Sequence, residues 1–202
     1  MTRRLVLATR NRHKVAELQH ILAAAGLDVE LVGMGEFPDV PDTVEDGLTF
    51  TANALKKARE VAVAVGLPAV ADDSGLCVDA LNGMPGVFSA RWAGTHGDDA
   101  ANLRLLLAQL DEVPAEHRGA HFACAAALVL PTGEAHVVEG RIEGSLIREP
   151  RGSGGFGYDP VFVPDGHSRT TAEMTAAEKN AISHRGNAFR SLAPVIADVL
   201  GA

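Results

Sequence analysis

Two adjacent carboxylates form the part of this sequence with the clearest potential for chemistry. Asp72 and Asp73 follow a short apolar segment and precede Ser74. Carboxylates at the carboxyl end of a strand lie where α/β sheets place ligands, and their hard oxygens suit Mg²⁺. Successive side chains of an extended segment point to opposite faces, so at most one of the two is the main metal ligand or base, while the other accepts structural hydrogen bonds. The alternative is an Asp-Ser-Gly turn with no chemical role.

A basic turn, Thr9–Lys14, precedes the first predicted helix. Backbone N–H groups at a helix N-terminus bind anions, and Lys14 falls in the first turn, so this segment predicts a phosphate site. It is not a Walker loop, because neither GxxxxGKS nor GxxxxGKT is present. The alternative is a capped helix with a solvated basic start, which is unfavourable unless an anion balances the cations.

Lysine is scarce in this chain, and its positions indicate where to look for anion-binding groups. Fourteen arginines stand beside four lysines, at Lys14, Lys56, Lys57 and Lys179. A lysine in so arginine-rich a chain is suited to act as a compact point charge, although chance alone gives such counts too. Asn53 lies three and four residues before Lys56 and Lys57, so on a helix it can share a face with either. The alternative for this segment is a solvated helix face.

A glycine-rich segment, Gly152–Pro160, has four glycines within six residues. Glycine allows the backbone to approach a flat ligand closely, and Phe156 and Tyr158 offer rings for stacking. The alternative is a glycine-rich hairpin turn. The segment therefore predicts a site for a planar group, such as a nucleotide base.

Three donors, Lys179, His184 and Arg185, surround a predicted helix end and favour an anion or a keto oxygen. His184 alone is more often a structural histidine than a ligand-binding one. Phosphoryl chemistry needs cations on the phosphate oxygens, a metal that neutralises charge, and a base or a positioned water. Together with the carboxylates and the glycines, these donors indicate a Mg²⁺-dependent nucleotide site.

Strands that alternate with helices must position these groups, and they predict an α/β fold with a mixed sheet. Asn11 is the expected cap of the first helix, and the pair Thr175 and Glu178 is a capping box that opens a later one. Strands are predicted at 3–8, 29–32, 69–71, 122–130 and 135–147, the last two as an antiparallel hairpin. Helices are predicted at 14–26, 49–65, 98–110 and 187–200, and loops at 33–47 and 82–97.

Composition limits the class of protein. A chain of 202 residues with 47% hydrophobic residues predicts one domain, 1–202, formed of one or two lobes. Its net charge of −8 argues against broad contact with nucleic acid or an anionic membrane. The longest apolar run, Phe122–Leu130, is too short to span a bilayer, and the first residues do not form a signal peptide, so a cytoplasmic location is expected. Cys77 and Cys124 have no metal-ligand spacing and are expected to be buried free thiols.

Six segments of the chain resemble the inosine triphosphate pyrophosphatase family, specifically its bacterial dITP/XTP pyrophosphatase branch. The resemblance covers essentially the whole chain and implies an elongated mixed β-sheet flanked by helices, with two lobes around a central nucleotide-binding cleft, and a homodimer. It also implies hydrolysis of deaminated purine nucleoside triphosphates, such as ITP, dITP and XTP, to the monophosphate and pyrophosphate. The six segments are TRNRHK at 9–14, GLTFTANALKKA at 47–58, ADDSGL at 71–76, PGVFSARWAG at 85–94, GGFGYDPVF at 154–162 and EKNAISHRG at 178–186.

The resemblance also implies roles for individual residues. Asp73 is the implied general base and a Mg²⁺ ligand, and Glu45 is a further carboxylate of the metal site. The implied phosphate-binding residues are Lys14 and Lys57, with Thr9, Arg10, Asn11, Arg12, His13 and Ser74. The implied base-binding residues are Phe156, Gly157, Tyr158, Asp159, Lys179, His184 and Arg185.

A pocket rich in donors suits a purine with a 6-keto oxygen, whereas the 6-amino group of adenine would face donor with donor. Arg10 departs from the family pattern, which often has a small residue there, and its side chain is expected either to tighten triphosphate binding or to project into solvent. Two other functions compete with this one. The first is a related house-cleaning pyrophosphatase for other modified nucleotides, and the second is a nucleotide-binding regulator that does not hydrolyse its ligand.

Overall fold

The computed structural model of the chain describes residues 3–201, except for the side chains of Arg12 and His13. The phosphate contacts predicted for those two side chains therefore lie outside the described residues. Six strands form one mixed sheet in the order β2-β1-β3-β4-β5-β6. They are β1 Arg3–Leu7, β2 Val29–Gly33, β3 Ala69–Val78, β4 Gly119–Val129, β5 Ala135–Leu146 and β6 Phe162–Pro164.

Five α-helices accompany the sheet among the described residues, and short 3₁₀ turns fill several of the connections. The helices are α1 Arg12–Ala24, α2 Phe50–Val65, α3 Asp99–Gln109, α4 Ala176–Ile182 and α5 His184–Leu200. Strand β1 is parallel to both of its neighbours, β2 and β3, while β5 and β6 are antiparallel. The α/β class and the mixed sheet are therefore confirmed.

Strand β3 is the main correction to the predicted elements. It was expected to end at Ala71, but it continues to Val78, so Asp72 and Asp73 lie within a strand rather than after it. Both carboxylates accept hydrogen bonds from buried or half-buried side chains, which removes the cost of placing charged residues in a strand interior. The three-residue strand β6 is too short to give a periodic signal and was not predicted.

The chain divides into two compact units. Unit 1 comprises Met1–Asp73, Cys124–Gly140 and Arg185–Ala202, and unit 2 comprises Ser74–Ala123 and Arg141–His184. Strands β3, β4 and β5 supply residues to both units. The predicted cleft between two lobes stays a prediction.

The core of unit 1 covers both faces of its strands. Leu5 and Leu7 pack with residues of α1 and α5, including Leu18 and Phe189, whereas Val6 packs with residues of α2, including Ala54. Successive strand residues point to opposite faces, so the continuous apolar run Leu5–Leu7 of β1 is typical of a sheet with helices on both sides. This layering fixes α2 beside the strand that carries Asp72 and Asp73.

Unit 2 has its own core, formed by residues such as Leu76, Leu106 and Phe162. Arg118 is 2% exposed within this unit, and its guanidinium donates to the backbone carbonyls of Leu110 and Leu146. Burial lowers the pKa of Arg118. The carbonyl dipoles of Leu110, at the end of α3, and of Leu146, at the end of β5, thus balance a buried cation.

The structure bears on the predictions about the two cysteines and about membrane-spanning segments. Cys77 and Cys124 are free and buried, as expected, and burial raises the pKa of both thiols. Between residues 3 and 201, no helix has the length and apolar character needed to cross a membrane.

Candidate functional site

The start of α2 positions two functional side chains in unit 1. The Thr49 hydroxyl accepts a hydrogen bond from the Ala52 N–H and so caps the helix. Asn53 and Lys57 follow four residues apart on one face of α2, and both approach Asp73. Lys56, by contrast, pairs with Asp46. Asn53 therefore shares its face with Lys57, one of the two possibilities that the sequence left open.

Lys57 lies between two carboxylates. Its Nζ donates to Glu45 Oε1 at 2.7 Å and lies 3.9 Å from Asp73 Oδ1. Only 14% of the Lys57 side chain is exposed, so its ammonium group lies in a partly desolvated environment. The arrangement shows that a positive charge fits between Glu45 and Asp73, the two residues predicted to hold a metal.

The loop that carries Glu45 is bound along α2. Thr43 donates to Glu60, Asp46 accepts from Lys56, and the Gly47 N–H donates to the side chain of Asn53. These contacts pair successive loop residues with successive turns of the helix. The loop was predicted to be irregular, and it is, but its hydrogen bonds fix the position of Glu45.

Asp72 is the centre of a buried charge cluster in unit 1. Lys14 Nζ lies 3.1 and 3.0 Å from its two oxygens, and Arg185 Nε lies 3.0 Å from Oδ2. Burial by itself raises the pKa of Asp72, but the charges of Lys14, Arg185 and Lys57 outweigh it and hold the pKa well below its usual range. Asp72 is thus the anion that balances Lys14 at the start of α1, and it has the structural role expected for one member of the carboxylate pair.

The turn before α1 lines a cavity of about 320 Å³ within unit 1. Asn11 accepts from the Lys14 N–H, as predicted for the cap of α1. Eight predicted or charged residues line the cavity together: Thr9, Arg10, Asn11, Lys14, Asp42, Glu45, Lys57 and Asp72. The structure therefore brings most of the predicted phosphate site to one place.

Arg10 binds the neighbouring loop. Its guanidinium donates to the Asp42 carboxylate and to the backbone carbonyls of Met34 and Val40. These three contacts tie the turn before α1 to the segment that leads to Glu45. The predicted contact of Arg10 with phosphate stays a prediction.

In unit 2, Asp159 anchors the glycine-rich segment. It is 3% exposed, and its carboxylate accepts hydrogen bonds from the Phe156 N–H, the Thr171 hydroxyl and Lys179 Nζ. A Cβ at Gly155, whose φ is +71°, would collide with the Asp159 carboxylate. The segment therefore needs glycine at this position to fold onto its own aspartate.

The rings and cations of this segment lie close together. Phe156 is 64% exposed, and Lys179 Nζ lies 5.0 Å from the centre of its ring. Gly157 donates its N–H to Asp99, and the Tyr158 hydroxyl donates to the Ser89 carbonyl. An exposed ring on a backbone fixed by hydrogen bonds forms a suitable platform for a planar base.

The remaining predicted residues are divided between the units. His184 belongs to unit 2, and its ring stacks on Phe122 at 4.9 Å between centres. Arg185 belongs to unit 1, where it pairs with Asp72, and Ser74 belongs to unit 2. Their predicted contacts with a nucleotide stay predictions.

Comparisons with known proteins decide the family. The Ham1 family model matches residues 5–195. The chain belongs to the Ham1 family. It is 64% identical over 198 residues to a dITP/XTP pyrophosphatase of Streptomyces coelicolor, with 98% of this chain and 99% of the relative covered. It is 57% identical over 194 residues to a dITP/XTP pyrophosphatase of Mycobacterium tuberculosis, which covers 96% of this chain and 95% of that protein.

Solved structures support the same assignment. A Ham1 protein of Coxiella burnetii matches with a TM-score of 0.90 at 44% identity, over 98% of this chain and all of that one. A dITP/XTP pyrophosphatase of Mycobacterium abscessus matches with a TM-score of 0.81 at 56% identity, over 96% of this chain and 99% of that one. The resemblance predicted from six motifs is thus confirmed for the fold and the family.

The donor set of this Ham1 chain fits Mg²⁺ bound together with a nucleotide. Among the side chains that the structure describes, no three His, Cys, Asp or Glu form a complete metal site. Mg²⁺ commonly takes one or two protein carboxylates and completes its octahedron with phosphates and water. Glu45 and Asp73, which flank the Lys57 ammonium, supply such a pair.

Three contributors to the Ham1 site were not recognised from the sequence. Asn53 was noted only as a neighbour of the lysines, although its place four residues after the cap Thr49 faces it toward the loop before α2. Asp99 lies in the helix predicted at 98–110, which was given no role in the site, and its carboxylate accepts from the Gly157 N–H. Asp42 holds Arg10 across 32 residues of sequence, a distance at which no local pattern gives a signal.

Proposed function

We propose that this chain hydrolyses deaminated purine nucleoside triphosphates, namely ITP, dITP and XTP, to the monophosphate and pyrophosphate. The observation that carries the proposal is the cluster of Lys14, Glu45, Lys57 and Asp72 around one cavity, with Asp73 beside Lys57. Relatives that match nearly the full chain are named dITP/XTP pyrophosphatases. Cations for phosphate and carboxylates for a base and a metal are the groups that this reaction requires.

Each residue of the cluster has a proposed task. Asp73 accepts a proton from the attacking water, and Lys57 and Lys14 bind phosphate oxygens. Glu45 and Asp73 hold Mg²⁺, which supplies charge neutralisation on the triphosphate when bound. Lys57 already lies within reach of both carboxylates, so a small movement of its flexible side chain exchanges Glu45 for a phosphate oxygen.

The proposed base site lies in the glycine-rich segment of unit 2. Phe156 stacks on the purine, and Lys179 donates to its 6-keto oxygen, with Tyr158 and Asp159 holding the backbone in place. An adenine 6-amino group offers no acceptor to Lys179 and places donor against donor, so ATP loses this hydrogen bond. Rejection of ATP is therefore expected to exceed rejection of GTP at this contact.

The test is pyrophosphate release by the purified protein from ITP, XTP, dITP, GTP and ATP, each with Mg²⁺ and with EDTA. Release that depends on metal and favours ITP, dITP and XTP supports the proposal. Pyrophosphate release that favours another modified nucleotide would instead support a related house-cleaning enzyme. Binding of ITP without any release would point to a nucleotide-binding regulator.

We also propose a homodimer and a cytoplasmic location. The homodimer is supported by the family resemblance, and sedimentation equilibrium of the full chain tests it directly. The location is supported by the proposed reaction, because a nucleotide pool that feeds DNA and RNA synthesis is in the cytoplasm. Cell fractionation with an antibody against the chain tests it.

Replacing Lys57 with alanine is expected to lower kcat/KM for ITP. The expected loss of transition-state stabilisation is about 1.5–3 kcal/mol, because a charge-assisted hydrogen bond to phosphate is lost. The measurement is steady-state pyrophosphate release. Lys56→Ala is the matched control, since Lys56 is the adjacent residue of α2 and pairs with Asp46 of the same loop. Equal kinetics for Lys57→Ala and Lys56→Ala would contradict a phosphate-binding role for Lys57.

Replacing Phe156 with alanine is expected to lower both kcat/KM for ITP and the ratio of ITP to ATP turnover. Stacking of a base on an aromatic ring is worth about 1–3 kcal/mol. The ring also faces Lys179, so its removal leaves that cation less well oriented. Phe88→Ala is the control, because Phe88 is partly exposed and also carries a cation, Arg91, over its ring. An unchanged ITP to ATP ratio would contradict a stacking role.

A further inference from the structure

Asn53 uses both ends of its side-chain amide inside unit 1. It is 1% exposed. Its Nδ2 donates to Asp73 Oδ2 at 2.8 Å, and its Oδ1 accepts from the Gly47 N–H at 2.7 Å. A buried amide with a donor contact on one side and an acceptor contact on the other can take only one orientation, because a flipped amide would face donor with donor and acceptor with acceptor.

The contact with Gly47 reaches the loop that carries Glu45. A Cβ at Gly47 would meet Asn53 Oδ1 at 2.5 Å, so only glycine lets the backbone approach the amide this closely. Gly47 stands two residues after Glu45. The amide therefore connects the position of the Glu45 loop to the carboxylate of Asp73.

In this arrangement the two oxygens of Asp73 have different neighbours. Oδ2 accepts the hydrogen bond from Asn53, whereas Oδ1 faces Lys57 Nζ at 3.9 Å. A carboxylate rotates readily about its last torsion unless a neighbour holds it. The Asn53 contact holds that torsion and keeps Oδ1 directed toward the Lys57 side.

We propose that Asn53 is a positioning residue that orients the Asp73 carboxylate against the Glu45 loop. This inference rests on the proposed function, in which Asp73 takes the proton of the attacking water. Asn53 does not touch the nucleotide in this role. It sets the rotation of the Asp73 carboxylate plane and how far Asp73 lies from the loop, so its loss lowers the rate of the chemical step rather than substrate affinity.

A second buried asparagine provides a matched control. Asn102 is also 1% exposed, also lies four residues after a helix cap, Asp98, and also accepts a backbone N–H, that of Ala93. Among the described side chains, its Nδ2 has no hydrogen-bond partner. Asn102 thus shares the burial and the backbone contact of Asn53 but contacts no carboxylate through its donor.

The experiment compares Asn53→Asp and Asn53→Ala with Asn102→Asp and Asn102→Ala in the full chain. Asn53→Asp keeps the acceptor for Gly47 and removes the donor to Asp73, whereas Asn53→Ala removes both without adding charge. Both Asn53 variants are expected to lower kcat for pyrophosphate release from ITP by about 30-fold to 100-fold, with KM within about threefold. Both Asn102 variants are expected to keep kcat per folded molecule.

A binding measurement separates orientation from substrate affinity. Calorimetry with a non-hydrolysable ITP analogue is expected to give similar affinities for wild type and for both Asn53 variants. If an Asn53 variant does not fold, Gly47→Ala disturbs the same amide from its other side and is expected to lower kcat in the same way. The thermal unfolding midpoint of each variant gives the folded fraction.

The outcomes distinguish this inference from the proposed function. If wild type releases no pyrophosphate from any of the five nucleotides, the proposed function fails. If wild type is active and the Asn53 variants keep kcat within twofold, or lose only affinity, the positioning role is overturned. Equal losses of kcat in the Asn53 and Asn102 variants would also overturn it, because burial alone would then explain the effect.

Discussion

Asp73→Asn is expected to abolish turnover while the fold is retained. Removing a positioned general base typically costs about 10²–10⁴-fold in rate. Asparagine has the same shape, and its oxygen can still accept from Asn53, so the strand and the loop keep their contacts. The expected result is a loss of at least about 1,000-fold in kcat for ITP with Mg²⁺, because the proposed proton acceptor and a proposed metal ligand are lost together. Circular dichroism and thermal unfolding check the fold.

Asp46→Asn is the matched control for this experiment. Asp46 is an exposed carboxylate of the loop that carries Glu45, and it pairs with Lys56 rather than Lys57. Its substitution also removes one negative charge near the start of α2, so it measures the general electrostatic effect. Activity of Asp73→Asn close to that of Asp46→Asn would remove Asp73 from the chemical step.

Asp72→Asn is expected to destabilise the protein strongly. Removing one partner of a buried ion pair typically costs about 3–5 kcal/mol, because the remaining charge stays buried without compensation. Here two cations lose their partner, Lys14 and Arg185, the second of which is itself buried. Urea unfolding at pH 7 measures the change in the free energy of unfolding.

The same substitution is expected to change how stability depends on pH. The charges around Asp72 hold its pKa below that of the unfolded chain, so the folded state binds fewer protons than the unfolded state. The stabilisation by Asp72 is therefore present above the unfolded pKa of about 3.9 and is lost as the pH falls below it. Asp72→Asn should flatten the decline in stability on acidification from about pH 5.

Glu36→Gln provides the control for both measurements. Glu36 pairs with Arg4 at 2.8 Å, but both side chains are substantially exposed. Exposed ion pairs contribute about 0–1 kcal/mol, so this variant should stay close to wild type. If Asp72→Asn lost no more stability than Glu36→Gln at pH 7, the buried cluster would not be a major source of stability.

Much of the fold could be predicted from hydrophobic periodicity and from caps. The first two strands, α1 with its cap Asn11, α2, and the adjacent strands β4 and β5 all have strong local patterns. The extent of β3 could not be predicted, because Asp72 and Asp73 are poor strand residues by local preference. What places them in a strand is their contacts with Lys14, Arg185 and Asn53, which are distant in sequence.

The candidate site could likewise be predicted only in part from local sequence patterns. The residue types of the predicted phosphate site could be recognised in the sequence, and the structure gathers Thr9, Lys14 and Lys57 around one cavity. The partners of these side chains in the structure could not be predicted from the sequence. Lys14 and Arg185 meet at Asp72 although they were predicted to contact different parts of a nucleotide. Ion pairs between residues that are distant in sequence depend on tertiary packing and give no periodic pattern in the sequence.

Each lysine that is proposed to bind phosphate is paired with a carboxylate, and this pairing has a consequence for competition by simple salts. Lys14 is held by Asp72, and Lys57 by Glu45. A lone anion that recruits Lys57 leaves the Glu45 carboxylate without its counter-charge, so chloride or inorganic phosphate gains little by entering. A triphosphate that arrives with its own divalent cation avoids this loss, since positive charge is again available to Glu45. The proposed site would therefore favour an anion that arrives already neutralised over a bare small anion.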